Sequence, residues 1–186
     1  MLYPLITRTK QWWQPKAGNL LSAVYLAIFV YKITVLDAYL YTIPAIITIL
    51  GIGLFGYFFN DFSDLKSDLL VNKPNMVQKL RPQQRVLLLV GFLFMALTPW
   101  IYLPFDQVSC WLLIAEFVLL LAYALPPIRL KEKGFLALIT DALYAYAIPF
   151  TLAFHTFNLF KNDSIDWGYY FSVFVWQFAV GLVNIL

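Results

Sequence analysis

The chain has 186 residues, of which 62% are hydrophobic, 19% aromatic and only 12% charged, with a formal net charge of +3. A mean hydropathy of +0.75 exceeds what a water-soluble domain needs to fill its core, and so small a positive charge argues against nucleic acid as a partner. Cys110 is the single cysteine, which excludes an internal disulfide and leaves the redox compartment open; a small apolar helix residue is its expected role.

Runs of about 20 apolar residues, enough to cross a hydrocarbon layer about 30 Å thick, recur along the chain with short polar breaks. Stretches such as VLLLVGFLFMAL are apolar on every side, which fits helices and not the alternation of a β-barrel. Six spans are predicted: about Ala17 to Val35, Tyr39 to Phe59, Val86 to Leu103, Val108 to Leu125, Phe135 to Phe157 and Gly168 to Leu186. The first is the weakest, being short and preceded by Arg8, Lys10 and Lys16, but no small-residue cleavage site leads into a soluble domain as a signal peptide would. The last residues, FAVGLVNIL, have no charged flank, aromatic anchor or stop signal, so residues 1–186 are expected to form one transmembrane domain truncated at its C-terminus.

Lysine and arginine number three before the first span, five between the second and third, and three between the fourth and fifth, leaving only Lys32 and Lys161 for the other side. The positive-inside rule then puts the N-terminus and the second and fourth loops in the cytoplasm, and a bacterial inner membrane is the expected location. Trp12, Trp13, Trp100 and Trp167 fall near span ends, where amphipathic rings favour the headgroup layer.

The second span leaves its apolar run through FFNDFSDLKSDLLVNKP. If the helix continues past Phe59, the steps from Asp61 to Asp64 to Asp68 keep three carboxylates within about 60° of one another around its axis, with Asn60 one turn before Asp64. Like charges stacked near lipid call for cations, and Lys66 points away from them. Carboxylate and amide oxygens are hard ligands that suit Mg²⁺, whereas zinc would want the His or Cys that this stretch lacks. A solvated helix end is the bland alternative. Lys73, Lys79 and Arg81 in the second loop and Arg129, Lys131 and Lys133 in the fourth would lie on the same side, as bases for anionic oxygens or simply as the charges that topology requires. Pro126 and Pro127 end the fourth helix and stiffen the loop that carries Arg129 and Lys131. Inside the spans, Glu116 is expected to make an interhelical hydrogen bond, Asp141 to contact substrate or brace a loop, and His155 to play a structural part near the interface.

Taken together, NDFSDLKSD, the NKP that follows it and YALPPIRLKEKGFLALITDALYAYAIPF resemble the UbiA superfamily of intramembrane prenyltransferases, with its N-D-x-x-D-x-x-x-D and Y-S-x-P-P-x-R-L-K segments. The resemblance covers almost the whole chain. It implies an all-α polytopic bundle with about six of some nine spans present, and a central cavity capped by cytoplasmic loops. By position, Asn60, Asp61, Asp64 and Asp68 become the Mg²⁺ and catalytic site. Lys73, Arg129 and Lys131 become diphosphate contacts, with Tyr123 lining the pocket and Asp141 beside it. Two departures stand out: Asn75, Met76 and Val77 replace the Arg-Pro that often follows NKP, and the family's second aspartate motif is not in this chain. The expected function is Mg²⁺-dependent transfer of a prenyl group from a prenyl diphosphate to a hydrophobic or aromatic acceptor, a quinone precursor first among them, in the lipid bilayer. The rivals are a cation-coupled transporter, a membrane phosphotransferase and a non-catalytic scaffold.

Overall fold

A computed structural model of the protein describes the backbone of residues 3–162 and 164–185, with side chains from Lys16 onward in those segments. The side chains of Arg8, Lys10, Trp12 and Trp13, and residue Leu186, lie outside the described residues. The chain forms α1 (Tyr3–Tyr31), α2 (Val35–Ser63), α3 (Leu65–Leu70), α4 (Pro82–Leu97), α5 (Gln107–Ala124), α6 (Phe135–Ala142), α7 (Ile148–Lys161) and α8 (Trp167–Ile185). One turn of π-helix, Leu143–Ala147, joins α6 to α7, and a 3₁₀ turn, Thr98–Ile101, prolongs α4.

Five segments are long and apolar enough to cross a bilayer: Val35–Ser63, Pro82–Ile101, Gln107–Ala124, Phe135–Lys161 and Trp167–Ile185; the described apolar part of α1, Lys16–Tyr31, is shorter. This is a multi-pass membrane helix bundle. Its outer surface carries bare apolar side chains such as Phe29, Val183 and Ile101, the last 90% exposed, which water would penalise and lipid accepts.

Because lipid tails are as apolar as leucine, helix association here rests on close packing and internal polar contacts more than on escape from water. Small residues make that packing possible. A β-carbon placed on Gly51 of α2 would stand 2.7 Å from the Ala96 Cα of α4, so the two backbones touch. Gly181 of α8 is pressed in the same way against Ala142 at the end of α6, at 3.1 Å. The centre of the bundle is α7, buried on every face from Ile148 to Asn158, including its polar Thr151, His155, Thr156 and Asn158. Its Phe150, Phe154 and Phe157 pack with Ala23 and Ala27 of α1 and Tyr170 of α8, and a second cluster joins Ile52, Ala96, Leu113 and Leu152.

Chain reversals place the end of α2, the start of α4, the end of α5 and the start of α6 at one end of the bundle, which holds the acidic motif. At the opposite end a partly buried polar chain ties three helices. Asp106 caps α5 by accepting from the Ser109 N–H at 2.8 Å; His155 Nε2 lies 2.9 Å from the same carboxylate, and His155 Nδ1 is hydrogen-bonded to the Tyr170 hydroxyl. His155 is 0% exposed, enclosed by protein at this end of the bundle. Trp100 is partly buried in the second cluster, whereas Trp167 stands largely exposed at the start of α8.

Candidate functional site

The acidic stretch does not continue as one straight helix. α2 ends at Ser63, Asp64 takes φ −90° and ψ −1° as the joint, and α3 starts at Leu65. The three acids therefore turn to different partners. The Asn75 side-chain amide donates to the Asp68 carboxylate at 2.8 Å and to the Asp61 main-chain carbonyl at 2.7 Å, while the Val77 N–H holds the Asn75 Oδ1 at 2.8 Å. Asn75 thus knots the loop after NKP back onto the motif, at the place where an Arg-Pro was expected. Lys73 reaches Asp68 at 3.6 Å from an exposed position. Among the described residues no group of three His, Cys, Asp or Glu side chains is gathered so as to hold a metal ion, so the single three-carboxylate face expected from the helix is not formed.

Asp64 is the hub. The Lys131 ammonium donates to both its carboxylate oxygens at 2.6 Å and to the Asn60 Oδ1 at 2.8 Å, and the Arg129 Nη2 donates to its Oδ1 at 2.8 Å. The side chains of Lys131 and Asp64 are 12% and 15% exposed, so water screens the pair weakly. Arg129 also grips Glu132 at 2.8 Å. Its backbone sits in the left-handed region, φ 38° and ψ 59°, a conformation that costs a residue with a Cβ on the order of 1 kcal/mol. The proline pair explains why the loop is there to be bent: α5 stops at Ala124, Leu125 is extended ahead of Pro126, and the chain returns over the end of α2. Of the six bases expected on this side, Arg129 and Lys131 reach Asp64 and Lys73 reaches Asp68; Lys79, Arg81 and Lys133 are exposed. The charge that balances Asp64 comes from the fourth loop.

Below the cluster, and joined to it by Asn60, lies a cavity of about 380 Å³, within the range of small-molecule sites. Tyr123 and Asp141 line it, as expected for a pocket, along with Lys16, Glu116, Tyr144 and Tyr146. Sequence reading counted Lys16 with the charges flanking the first span, but it is 3% exposed and turned into the bundle. The reason is local. Pro149 has no N–H to offer the Ala145 carbonyl four residues before it, and Lys16 donates to that carbonyl at 3.2 Å with its ammonium 3.9 Å from the centre of the Tyr146 ring. The π-turn swings Tyr144 and Tyr146 to the same wall, and Tyr144 is hydrogen-bonded to Asp141. Tyr123 meets the Tyr144 ring edge-on at 5.3 Å. Among the described residues the interhelical hydrogen bond expected of Glu116 is not made: neither carboxyl oxygen has a hydrogen-bond partner.

The fold and site define a polytopic α-helical membrane protein with an acid–base cluster at the mouth of an intramembrane cavity. Compared with models of protein families, with characterised proteins and with solved structures, the chain matches none.

Proposed function

We propose that the chain is a prenyltransferase-type domain: its cluster holds the diphosphate of an isoprenyl diphosphate, and its cavity receives the hydrophobic acceptor. The observation that carries this reading is Asn60, whose side chain both accepts from Lys131 in the cluster and lines the cavity, so anionic head and apolar chamber are contiguous. Arg129 and Lys131 are the diphosphate-binding groups, Arg129 as a planar fork and Lys131 as a point charge. Lys73 adds charge from the rim.

Asn60 and Asp64 offer hard oxygen donors of the kind magnesium takes, without the further carboxylates the motif was expected to add. Asn60 Oδ1 and both Asp64 oxygens already surround one cation, the Lys131 ammonium, within 2.8 Å, and an ion that keeps several waters needs only one or two carboxylates. Asn60 and Asp64 would hold it, with Asp61 and Asp68 nearby in sequence, and when bound it would supply positive charge to the phosphate oxygens. Arg129 and Lys131 stabilise the negative charge that grows on the diphosphate as the allylic C–O bond breaks and its electron pair leaves with oxygen. The acceptor forms the new bond to that allylic carbon and gives up a proton. The walls of Ile52, Leu120 and tyrosine exclude water that would otherwise capture the cation. A cytoplasmic cluster, a bacterial inner membrane and a quinone-precursor acceptor belong to the same proposal.

The test is transfer from a radiolabelled prenyl diphosphate to extracted acceptors in proteoliposomes with Mg²⁺. Asp64→Asn is expected to abolish transfer while membrane insertion is unchanged; a fully active variant would remove Asp64 from the site. Buried Glu116 and Lys16, with Asp141, favour one second reading, cation-coupled transport, which predicts ion flux into the same liposomes.

A further inference from the structure

The apolar belt that meets lipid ends with the spans, yet one bare apolar surface lies beyond it. α2 has 29 residues, about 44 Å of helix, which matches a bilayer taken with both its headgroup layers, so α3 begins at headgroup level. There Leu69, Leu70 and Val71 follow one another in the open, with Leu70 85% exposed. The turn that presents them is well defined. Asn72 takes the left-handed conformation, φ 53°, the Lys73 N–H donates to the Asp68 carbonyl at 2.9 Å, and the Asn72 N–H donates to the Leu69 carbonyl at 3.4 Å. In a helix-ending turn of this kind, residues at the places of Asp68 and Lys73 often meet through apolar side chains. Here those two make an ion pair at 3.6 Å, and the three apolar residues are left uncovered.

We infer that Leu69, Leu70 and Val71 form a wedge that enters the adjacent leaflet, where the cations around it hold anionic phospholipid. Charge is what selects this partner. Lys66, Lys73, Lys79 and Arg81 are exposed whereas Asp61 and Asp68 are buried, so every exposed charge between residues 65 and 85 is positive. Apolar side chains ringed by cations suit an anionic membrane surface: the apolar groups reach the acyl boundary while the ammonium groups stay with the phosphates. A second copy of the chain would bring the same positive charges against this patch, and like charges juxtaposed in that way disfavour it. Because Asp68 lies on the buried face of the same six-residue helix, seating the wedge in lipid also fixes where that carboxylate stands. The inference does not depend on the reaction proposed above.

The experiment places an environment-sensitive fluorophore, NBD, at the tip of the wedge through Leu70→Cys, with Cys110→Ala so that the label has a single attachment point. The full chain is reconstituted in nanodiscs of phosphatidylcholine, alone or with a third of it replaced by phosphatidylglycerol. With phosphatidylglycerol the emission is expected to shift to the blue, to lose most of its quenching by aqueous iodide, and to be quenched by lipid that carries a nitroxide at the top of its acyl chain. The effect should fade at about 1 M salt, where the screening length falls to about 3 Å. One lysine near such a surface is worth about fivefold, so Lys66→Gln with Lys79→Gln should lower the insertion equilibrium about 25-fold and restore iodide quenching to its level in phosphatidylcholine. All of these wedge and lysine side chains are exposed, and unchanged unfolding temperatures confirm that the variants fold. Equal iodide quenching in the two kinds of disc, whether high or low, overturns the inference, as does an effect of phosphatidylglycerol that survives in the double lysine variant. Protection from iodide in lipid-free micelles that rises with protein concentration overturns it too, since a second copy would then be the cover.

Discussion

Removing the Lys131 ammonium tests the pairing at the centre of the site. In Lys131→Met, both Asp64 oxygens and the Asn60 Oδ1 lose a donor at 2.6–2.8 Å, while Arg129 keeps its 2.8 Å bond to Asp64. At an effective dielectric of about 20 the gross attraction of two unit charges 4 Å apart is about 4 kcal/mol, and the cost of stripping water from both ions takes back a large part. Because the two side chains are only 12% and 15% exposed, the pair stands well above a surface salt bridge. A net coupling of about 2 kcal/mol results. It is read from a double-mutant cycle of wild type, Lys131→Met, Asp64→Asn and the double variant, unfolded in mixed micelles. The double variant should lose less than the sum of the singles by that amount, because each single already removes the same contact. Additivity to within about 0.5 kcal/mol would refute the pairing.

Two further outcomes follow from packing and protonation. Gly51→Ala drives a methyl into the Ala96 backbone and is expected to destabilise the chain by about 1–3 kcal/mol, whereas Gly91→Ala on the open side of α4 is neutral or mildly stabilising; unfolding midpoints check both. At the opposite end, partial burial of Asp106 works against its charge, but hydrogen bonds from Ser109 and His155 outweigh that and hold its pKa below the ordinary 3.8. A depressed carboxylate stabilises above its unfolded pKa and ceases to as pH falls through the folded value, so the wild type should lose stability on the acid side of about pH 4 and Asp106→Asn should show a flatter acid limb.

Much of the architecture was legible because hydrocarbon thickness dictates span length, and the second to sixth predicted spans correspond to helical segments long enough to cross. Loop charges placed Arg129 and Lys131 on the side of the motif as contacts for a diphosphate; that they pair with Asp64 itself, more than sixty residues away, was not foreseen, though the two prolines that halt α5 just before them are what bring them back. Motif spacing misled where it assumed a straight helix. A joint at Asp64 and the capture of Asp68 by Asn75 disperse the carboxylates, and Asn75 looked like nothing more than a departure from a pattern. Lys16 and Glu116 were misread because their environment is set by helices distant in sequence. One local signal was present, the Pro149 in the middle of a span, which frees the carbonyl that Lys16 then finds. Nothing local announces that a mid-span glutamate will go unbonded, nor that Asp106, His155 and Tyr170 will align.

The chain carries its own counter-ions. With the fourth-loop bases already seated on Asp64, the protein is expected to fold and to stay folded in the presence of chelators throughout purification. On the proposed reading, an arriving diphosphate would meet a lock whose key position is held by a lysine, and would have to draw that side chain onto its own oxygens before the acids are released.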